Sequence, residues 1–172
     1  MPELISTGMA LAFVWLFGSA AWHKFSALDW YAGLLQSWGV ERIPMRPAIR
    51  AVAAVELMVA LGLLLPQLRN VALLLAALLL LAYAVMMALQ LARGKASLRC
   101  GCAGPASAVS ISPSLVMRNL LCAGVAILAS IPGAAMAWSP GSASASLLLG
   151  VFLVIVYAAT ERMIGNAQHF TE

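Results

Sequence analysis

Five long apolar runs dominate this sequence and restrict how it can fold. They cover residues 4–22, 48–65, 71–92, 115–131 and 144–163. About 20 apolar residues in a helix cross the roughly 30 Å hydrocarbon core of a bilayer, where each backbone must satisfy its own hydrogen bonds. With 63% hydrophobic and 9% charged residues, the chain lies outside the composition of soluble globular domains. We therefore predict an all-α, polytopic membrane bundle of four to five transmembrane helices, with five preferred, forming a single integral membrane domain over residues 1–172.

The segment at residues 23–39, after the first run, has a different pattern. Its apolar and aromatic residues recur at mostly helical spacing among polar ones: Trp22, Phe25, Leu28, Trp30, Tyr31, Leu34, Leu35 and Trp38. Trp and Tyr rings favour the headgroup level of a bilayer. The pattern predicts an interfacial amphipathic helix in contact with membrane lipid, and an aromatic belt with no ligand role is the simpler alternative.

A polar loop at residues 93–114 contains the chain's one C-x-C pair, Cys100 and Cys102. Two thiols so close together are better suited to exchanging electrons than to holding a fold together. Gly101 and Gly104 permit the backbone angles that a tight disulfide needs. The pair therefore favours thiol and disulfide redox chemistry, while two unrelated cysteines or half of a metal site shared with a partner chain stay open as alternatives.

Arg99 is the candidate for stabilising a thiolate in this loop, because a nearby positive charge lowers the pKa of a cysteine. No His or Cys cluster in the sequence has the spacing of a complete zinc site, so we expect no metal. The chain also lacks a basic run with interleaved aromatic residues, and we expect no nucleic-acid partner.

Charged residues inside the spans are the remaining candidates. Glu56 falls roughly 12 Å into the second span, and Arg118 lies about one turn into the fourth, entering from the same side. Since an intramembrane acid needs a partner, we expect Glu56 to pair with Arg118, with Asn119 beside it, as part of a proton path or as a salt bridge between helices. Cys122 is one turn beyond Arg118 and is a candidate thiol relay, or a small apolar core residue.

The basic residues are distributed unequally between the two ends of a five-span bundle. One end of the bundle holds only Arg69. The opposite end, which holds the first loop, the cysteine loop and the C-terminus, has the other nine: Lys24, Arg42, Arg46, Arg50, Arg93, Lys95, Arg99, Arg118 and Arg162. The positive-inside rule favours a cytoplasmic location for that end. His23, next to Lys24, is either a proton shuttle or an interfacial anchor.

The order of these motifs resembles the MauE family of methylamine-utilisation membrane proteins, grouped with DoxX-like redox-associated membrane proteins. The resemblance covers about residues 10 to 130. Its motifs are His23-Lys24-Phe25, Glu56, Leu61-Gly62-Leu63-Leu64-Leu65, Arg93-Gly94-Lys95, Cys100-Gly101-Cys102-Ala103-Gly104, Ile111-Ser112-Pro113 and Arg118-Asn119.

The resemblance implies a multi-pass protein of the bacterial inner membrane that works with a thioredoxin-like periplasmic oxidoreductase. The expected role is disulfide formation, or electron supply, during maturation of a periplasmic enzyme of the methylamine dehydrogenase type. The family's C-x-C signature falls on Cys100 and Cys102, its intramembrane acid on Glu56, and its Arg-Asn pair on Arg118 and Asn119. A periplasmic partner most simply requires a periplasmic cysteine loop, which disagrees with the charge bias.

Three functions are therefore carried forward. The leading one is a membrane thiol and disulfide redox protein, with a quinone as a conceivable electron acceptor. The second is a non-catalytic assembly factor or subunit of a membrane complex. The third is a small-molecule transporter built around Glu56 and Arg118, although its helices lack the paired Gly or Pro interruptions common in transporters.

Overall fold

A computed structural model describes residues 3–39, 44–101, 104–105, 107, 109–131 and 139–169. This part of the chain forms six helices: α1 (Glu3–Ser26), α2 (Leu28–Ser37), α3 (Met45–Leu64), α4 (Arg69–Ala92), α5 (Pro113–Ser130) and α6 (Pro140–His169). Among the described residues the only β pairing is an isolated bridge between Arg99 and Ser110. The predicted all-α fold is confirmed.

Five of these helices are long and apolar enough to cross a membrane, namely α1, α3, α4, α5 and α6. The preferred count of five is therefore supported over four. The helix predicted at 23–39 begins later than expected, since the chain stays helical through Ser26 and α2 starts at Leu28. Ala27, with φ −133° and ψ 46°, leaves the helical region and makes the break between α1 and α2.

Small residues at helix contacts bring the backbones close together. A Cβ added to Gly8 of α1 would lie 2.7 Å from Leu149 Cδ2, and one added to Gly150 of α6 would lie 3.0 Å from Leu11 Cβ. In α4 and α5, Ala76 and Ala126 are fully buried in the main apolar core. Apolar lipid gives helices no hydrophobic reason to associate, so close van der Waals packing between small residues holds the bundle together.

The α2 helix and the cysteine loop lie at the same end of the bundle, as the sequence predicts. This end also holds the last turns of α1 and α4 and the first turns of α3 and α5. The Tyr31 hydroxyl of α2 donates a hydrogen bond to the Gly101 carbonyl at 3.0 Å. At the C-terminal end of α6, the Gln168 amide accepts from Ser110 N at 3.0 Å and donates to its carbonyl at 2.9 Å. The loop is thus held from two sides.

Candidate functional site

Cys100 lies in a short paired segment at the end of the bundle. Its backbone N–H donates to the Val109 carbonyl at 3.0 Å, and Ile111 N donates to the Leu98 carbonyl at 2.8 Å. Cys100 is disulfide-bonded and only 9% exposed, and its Sγ lies 3.6 Å from Met87 Sδ. The other cysteine of the pair, Cys102, lies outside the described residues. The structure therefore places Cys100 as a buried sulfur packed against α4.

Gly101 must be glycine at its position. Its φ is +73°, and an added Cβ would lie 2.5 Å from Leu34 Cδ2 of α2. Tyr31, which binds the Gly101 carbonyl, is buried, and burial together with the negative charge of Glu56 raises its pKa to about 12. It therefore stays a neutral hydrogen-bond donor at physiological pH, and α2 fits closely over the cysteine loop.

His23 of α1 packs against Gly104 of the cysteine loop. Gly104 has φ +84°, and an added Cβ would lie 2.9 Å from the His23 ring. The last turn of α1 therefore packs on the loop, a contact that the interfacial-anchor interpretation of His23 does not include. Arg99, by contrast, is exposed while Cys100 is buried. Successive residues of an extended segment point in opposite directions, which separates this cation from the sulfur. A thiolate-stabilising role for Arg99 stays a prediction.

Glu56 is paired with Lys24, and the predicted pairing with Arg118 is wrong. Lys24 Nζ lies 2.8 Å from Glu56 Oε1, and the Tyr83 hydroxyl donates to the same oxygen at 2.5 Å. Glu56 is completely buried, and its Oε2 has no hydrogen-bond partner in the described part of the protein. The Lys24 ammonium also lies 5.5 Å from the centre of the Tyr31 ring. The Lys24 side chain is therefore largely buried between Glu56 and Tyr31.

Arg118 forms a second buried group, shared with α6. Its guanidinium lies 3.8 Å from the Glu161 carboxylate and 4.7 Å from the centre of the Tyr157 ring. Asn119 donates to the Leu115 carbonyl one turn back at 3.1 Å. Cys122 is a free, half-buried thiol that packs against the main apolar core. This packing fits the interpretation of Cys122 as a small apolar core residue.

A cavity of about 190 Å³ connects the cysteine to the buried acid. Its walls come from α1, α2, α3, α4 and the cysteine loop, with one residue each from α5 and α6. Cys100 and Gly101 line it, as do Lys24, Glu56 and Tyr83. Cys100 and the buried ion pair thus line the same cavity.

Sequence reasoning did not identify Lys24 and Tyr83 as members of this site. Lys24 ends a span, where basic side chains commonly extend to the interface, and Tyr83 is a single hydroxyl in an apolar helix. The available signal was that the buried acid of α3 needs donors from its neighbours, and these two polar side chains lie in the halves of α1 and α4 nearer the cysteine end. No group of three or more His, Cys, Asp or Glu residues that could hold a metal ion occurs among the described residues.

Comparisons with known proteins identify the family of this chain. Residues 2–132 match the family described as "Methylamine utilisation protein MauE". The chain is 30% identical over 152 residues to a "Methylamine utilization protein MauE" of Methylophilus methylotrophus, covering 86% of this chain and 79% of the relative. It is 29% identical over 153 residues to the protein of the same name from Paracoccus denitrificans, covering 87% and 82%. No solved structure gives a significant match. With its five apolar spanning helices, the chain is a multi-pass membrane protein that belongs to the MauE family of methylamine-utilisation proteins.

Proposed function

We propose that this protein is a membrane thiol-disulfide oxidoreductase in which Cys100 and Cys102 cycle between dithiol and disulfide. The observation that carries the proposal is the position of Cys100, which is disulfide-bonded at the wall of a cavity containing a buried carboxylate. A purely structural disulfide has no need of such a cavity. The two relatives named for methylamine utilisation support a place in that process. Within it we assign the protein to the maturation of a periplasmic enzyme of the methylamine dehydrogenase type.

The two cysteines have different tasks in this proposal. Cys100 is buried beneath α2, so exchange with a protein partner is assigned to Cys102. Cys100 is the thiol that leaves when a partner thiolate attacks Cys102, and its attack on the mixed disulfide is the reverse of that step. Thiol-disulfide exchange proceeds by attack of a thiolate on one sulfur and passes through such an intermediate. The partner is a thioredoxin-like oxidoreductase.

A trapping experiment tests this assignment. The reduced full-length protein is incubated with a thioredoxin-like partner that retains only its attacking cysteine, activated as a mixed disulfide with thionitrobenzoate. Attack by a thiolate of the protein displaces thionitrobenzoate, and the adducts are separated on a non-reducing gel. Cys100→Ser is expected to accumulate the mixed disulfide because the resolving thiol is gone, and Cys102→Ser is expected to form none. Cys122→Ser is the matched control and should behave as the unmodified protein does. Equal adducts in all three variants would remove the C-x-C pair from the mechanism.

The compartment of the cysteine end is a separate part of the proposal. We assign the protein to the bacterial inner membrane, where the charge bias favours a cytoplasmic cysteine loop and a periplasmic partner requires a periplasmic one. Alkylation of reduced cysteines in intact cells with a membrane-impermeant maleimide distinguishes the cytoplasmic from the periplasmic orientation of the cysteine loop. Labelling of Cys102 from outside would support direct contact with a periplasmic partner, and protection until the cells are opened would support the charge-based orientation.

An assembly factor is the second candidate, and an exposed aromatic surface favours it. Trp22 is 71% exposed and Phe25 is 42% exposed at the cysteine end of α1. A scaffold function predicts that a double Cys100→Ser, Cys102→Ser variant still supports maturation of the target enzyme while Trp22→Ala does not. The redox function predicts that, in the same maturation assay, the double cysteine variant fails and Trp22→Ala still supports maturation.

A further inference from the structure

We propose that the cavity beside Cys100 binds the ring of a lipid-soluble quinone, which accepts two electrons from the Cys100 and Cys102 dithiol. This inference rests on the proposed redox function and adds the electron acceptor to it. Four observations carry it: the size of the cavity, its opening towards lipid, an unpartnered buried oxygen within it, and the sulfur on its wall.

The cavity has the size and lining that suit a single apolar ring. At about 190 Å³ it is smaller than the pockets of roughly 300–1,000 Å³ that hold whole drug-sized ligands, so it suits a single ring. Most of its lining side chains are apolar, among them Phe17, Leu34, Ile49 and Leu80. Its charged residues, Lys24 and Glu56, are paired with each other. Such a lining suits a ligand that is flat and apolar except for a few oxygen atoms.

Two of the lining residues also face out of the bundle. Val52 of α3 is 38% exposed, and Met86 of α4 is 37% exposed. Both lie in helices long and apolar enough to span a membrane, so we infer that the cavity opens towards lipid beside them. The cavity therefore reaches the lipid-facing surface between α3 and α4. A ligand dissolved in the bilayer enters there and leaves its hydrocarbon tail among the lipids.

The Lys24 and Glu56 pair in the cavity can form hydrogen bonds with both the quinone and the quinol. Glu56 Oε1 is occupied by Lys24 and Tyr83, but Oε2 is buried without a hydrogen-bond partner in the described part of the chain. An unsatisfied buried acceptor is costly, and a quinol O–H removes that cost by donating to it. The Lys24 ammonium has three N–H donors, only one of which is needed for Oε1, so another is free to bind a quinone carbonyl. A phospholipid acyl chain in the same space would leave Oε2 unsatisfied.

The reaction balances without another reactant. The S–H bonds of Cys100 and Cys102 break, one S–S bond forms, and two electrons and two protons pass to the quinone. The quinone carbonyl oxygens become the two hydroxyls of the quinol, which leaves into the bilayer. The disulfide is then reduced again by the thioredoxin-like partner, whose own dithiol becomes a disulfide.

The test uses the full-length protein in lipid nanodiscs, reduced and kept without oxygen. A decyl-substituted benzoquinone is added, and quinol is followed by absorbance while protein thiols are counted by alkylation and mass spectrometry. We expect one quinol for each pair of thiols lost. Val52→Trp, which places a large ring at the mouth of the cavity, should slow the reaction by roughly 10²-fold, since a misplacement of about 1 Å can have that effect. Met58→Trp is the control, because Met58 lies on the same helix, is 62% exposed and does not line the cavity.

Further readouts separate this inference from the function on which it rests. Reoxidation by a small water-soluble disulfide should be equal in the two tryptophan variants, which shows that the thiols are intact. An azido-quinone photolabel should attach to the cavity segments of α3 and α4, and binding should weaken in Glu56→Gln. Equal quinone reduction in Val52→Trp and Met58→Trp, or photolabel spread over all lipid-facing helices, would overturn the quinone site. If the mixed disulfide is still trapped in that case, the proposed redox function stands; if the trap fails while quinone reduction succeeds, the thioredoxin-like partner is the part to abandon.

Discussion

The residues of the buried ion pair depend on each other for stability. Glu56 is completely buried, and Lys24 is 13% exposed at the side chain. Removing one member of such a pair leaves an uncompensated charge, at a cost of about 3–5 kcal/mol, whereas replacing both with apolar residues is often nearly neutral. We expect Glu56→Leu to lower the thermal midpoint strongly, and the double variant Lys24→Met, Glu56→Leu to recover most of the loss.

Thermal unfolding of the detergent-solubilised protein measures this coupling. The control is Arg46→Ala, which removes a salt bridge to Asp29 whose two side chains are 64% and 78% exposed. Exposed pairs contribute about 0–1 kcal/mol, so its midpoint should hardly move. Losses for Lys24 and Glu56 that simply add in the double variant would show that the two charges are not coupled.

Gly101 combines backbone strain with a close contact, and a second glycine allows the two to be separated. Gly94 has the same φ of +73° but open space around its missing Cβ, whereas a Cβ on Gly101 would collide with Leu34. Gly94→Ala should cost about 1–2 kcal/mol from the left-handed backbone alone. Gly101→Ala should cost more and should displace α2 from the loop.

Alkylation of Cys100 in the reduced protein measures that displacement. We expect the rate to rise in Gly101→Ala and to stay unchanged in Gly94→Ala, since only the first substitution moves α2. Equal rates in the two variants would mean that the contact between Leu34 and Gly101 does not protect the sulfur.

The helices themselves follow from hydropathy, but their neighbours do not. Lipid forces every apolar run into a helix, so five spans could be predicted from the sequence. The depth of Glu56 in the membrane is also predictable from its position in the second span. Several cations enter from the same end of the bundle, however, and a linear pattern does not say which helix is adjacent. The structure selects Lys24 of α1 and pairs Arg118 with α6. The break between α1 and α2 at Ala27 is not predictable from the sequence, because no Gly or Pro lies beside it.

The contact between α1 and α6 gives a prediction at the scale of helices. A Cβ on Gly150 would lie 3.0 Å from Leu11 Cβ and 3.1 Å from the Gly8 carbonyl, while one on Gly124 of α5 would meet nothing within 4 Å. Gly150→Ala should therefore destabilise the bundle by about 1–3 kcal/mol, as overpacking does. Gly124→Ala should be neutral or stabilising, because alanine is the better helix former. Thermal midpoints of the two variants check this, and equal midpoints would contradict close packing of α1 on α6.

For the whole molecule, the decisive quantity is how far the fold depends on the disulfide. The cysteine loop is held by other means, which include the backbone pairing of Cys100 with Val109, the Tyr31 hydroxyl and the Gln168 amide. If Cys100 is bonded to Cys102, the closed loop is very short, and loop-closure entropy gives such a bond only roughly 1–2 kcal/mol. We therefore expect the reduced protein to keep its helix content and to unfold only a few degrees below the oxidised one.

Circular dichroism and thermal unfolding of the oxidised and reduced protein in the same detergent test this expectation. The Cys100→Ser, Cys102→Ser variant should unfold as the reduced protein does, with no further change on adding reductant. Cys122→Ser should keep the full difference between the two redox states, because Cys122 is a free thiol. A redox protein must return to the same fold after every turnover, so a small difference is what the proposed cycle requires. Collapse of the bundle on reduction would identify the bond as a structural staple and would contradict a redox cycle at Cys100.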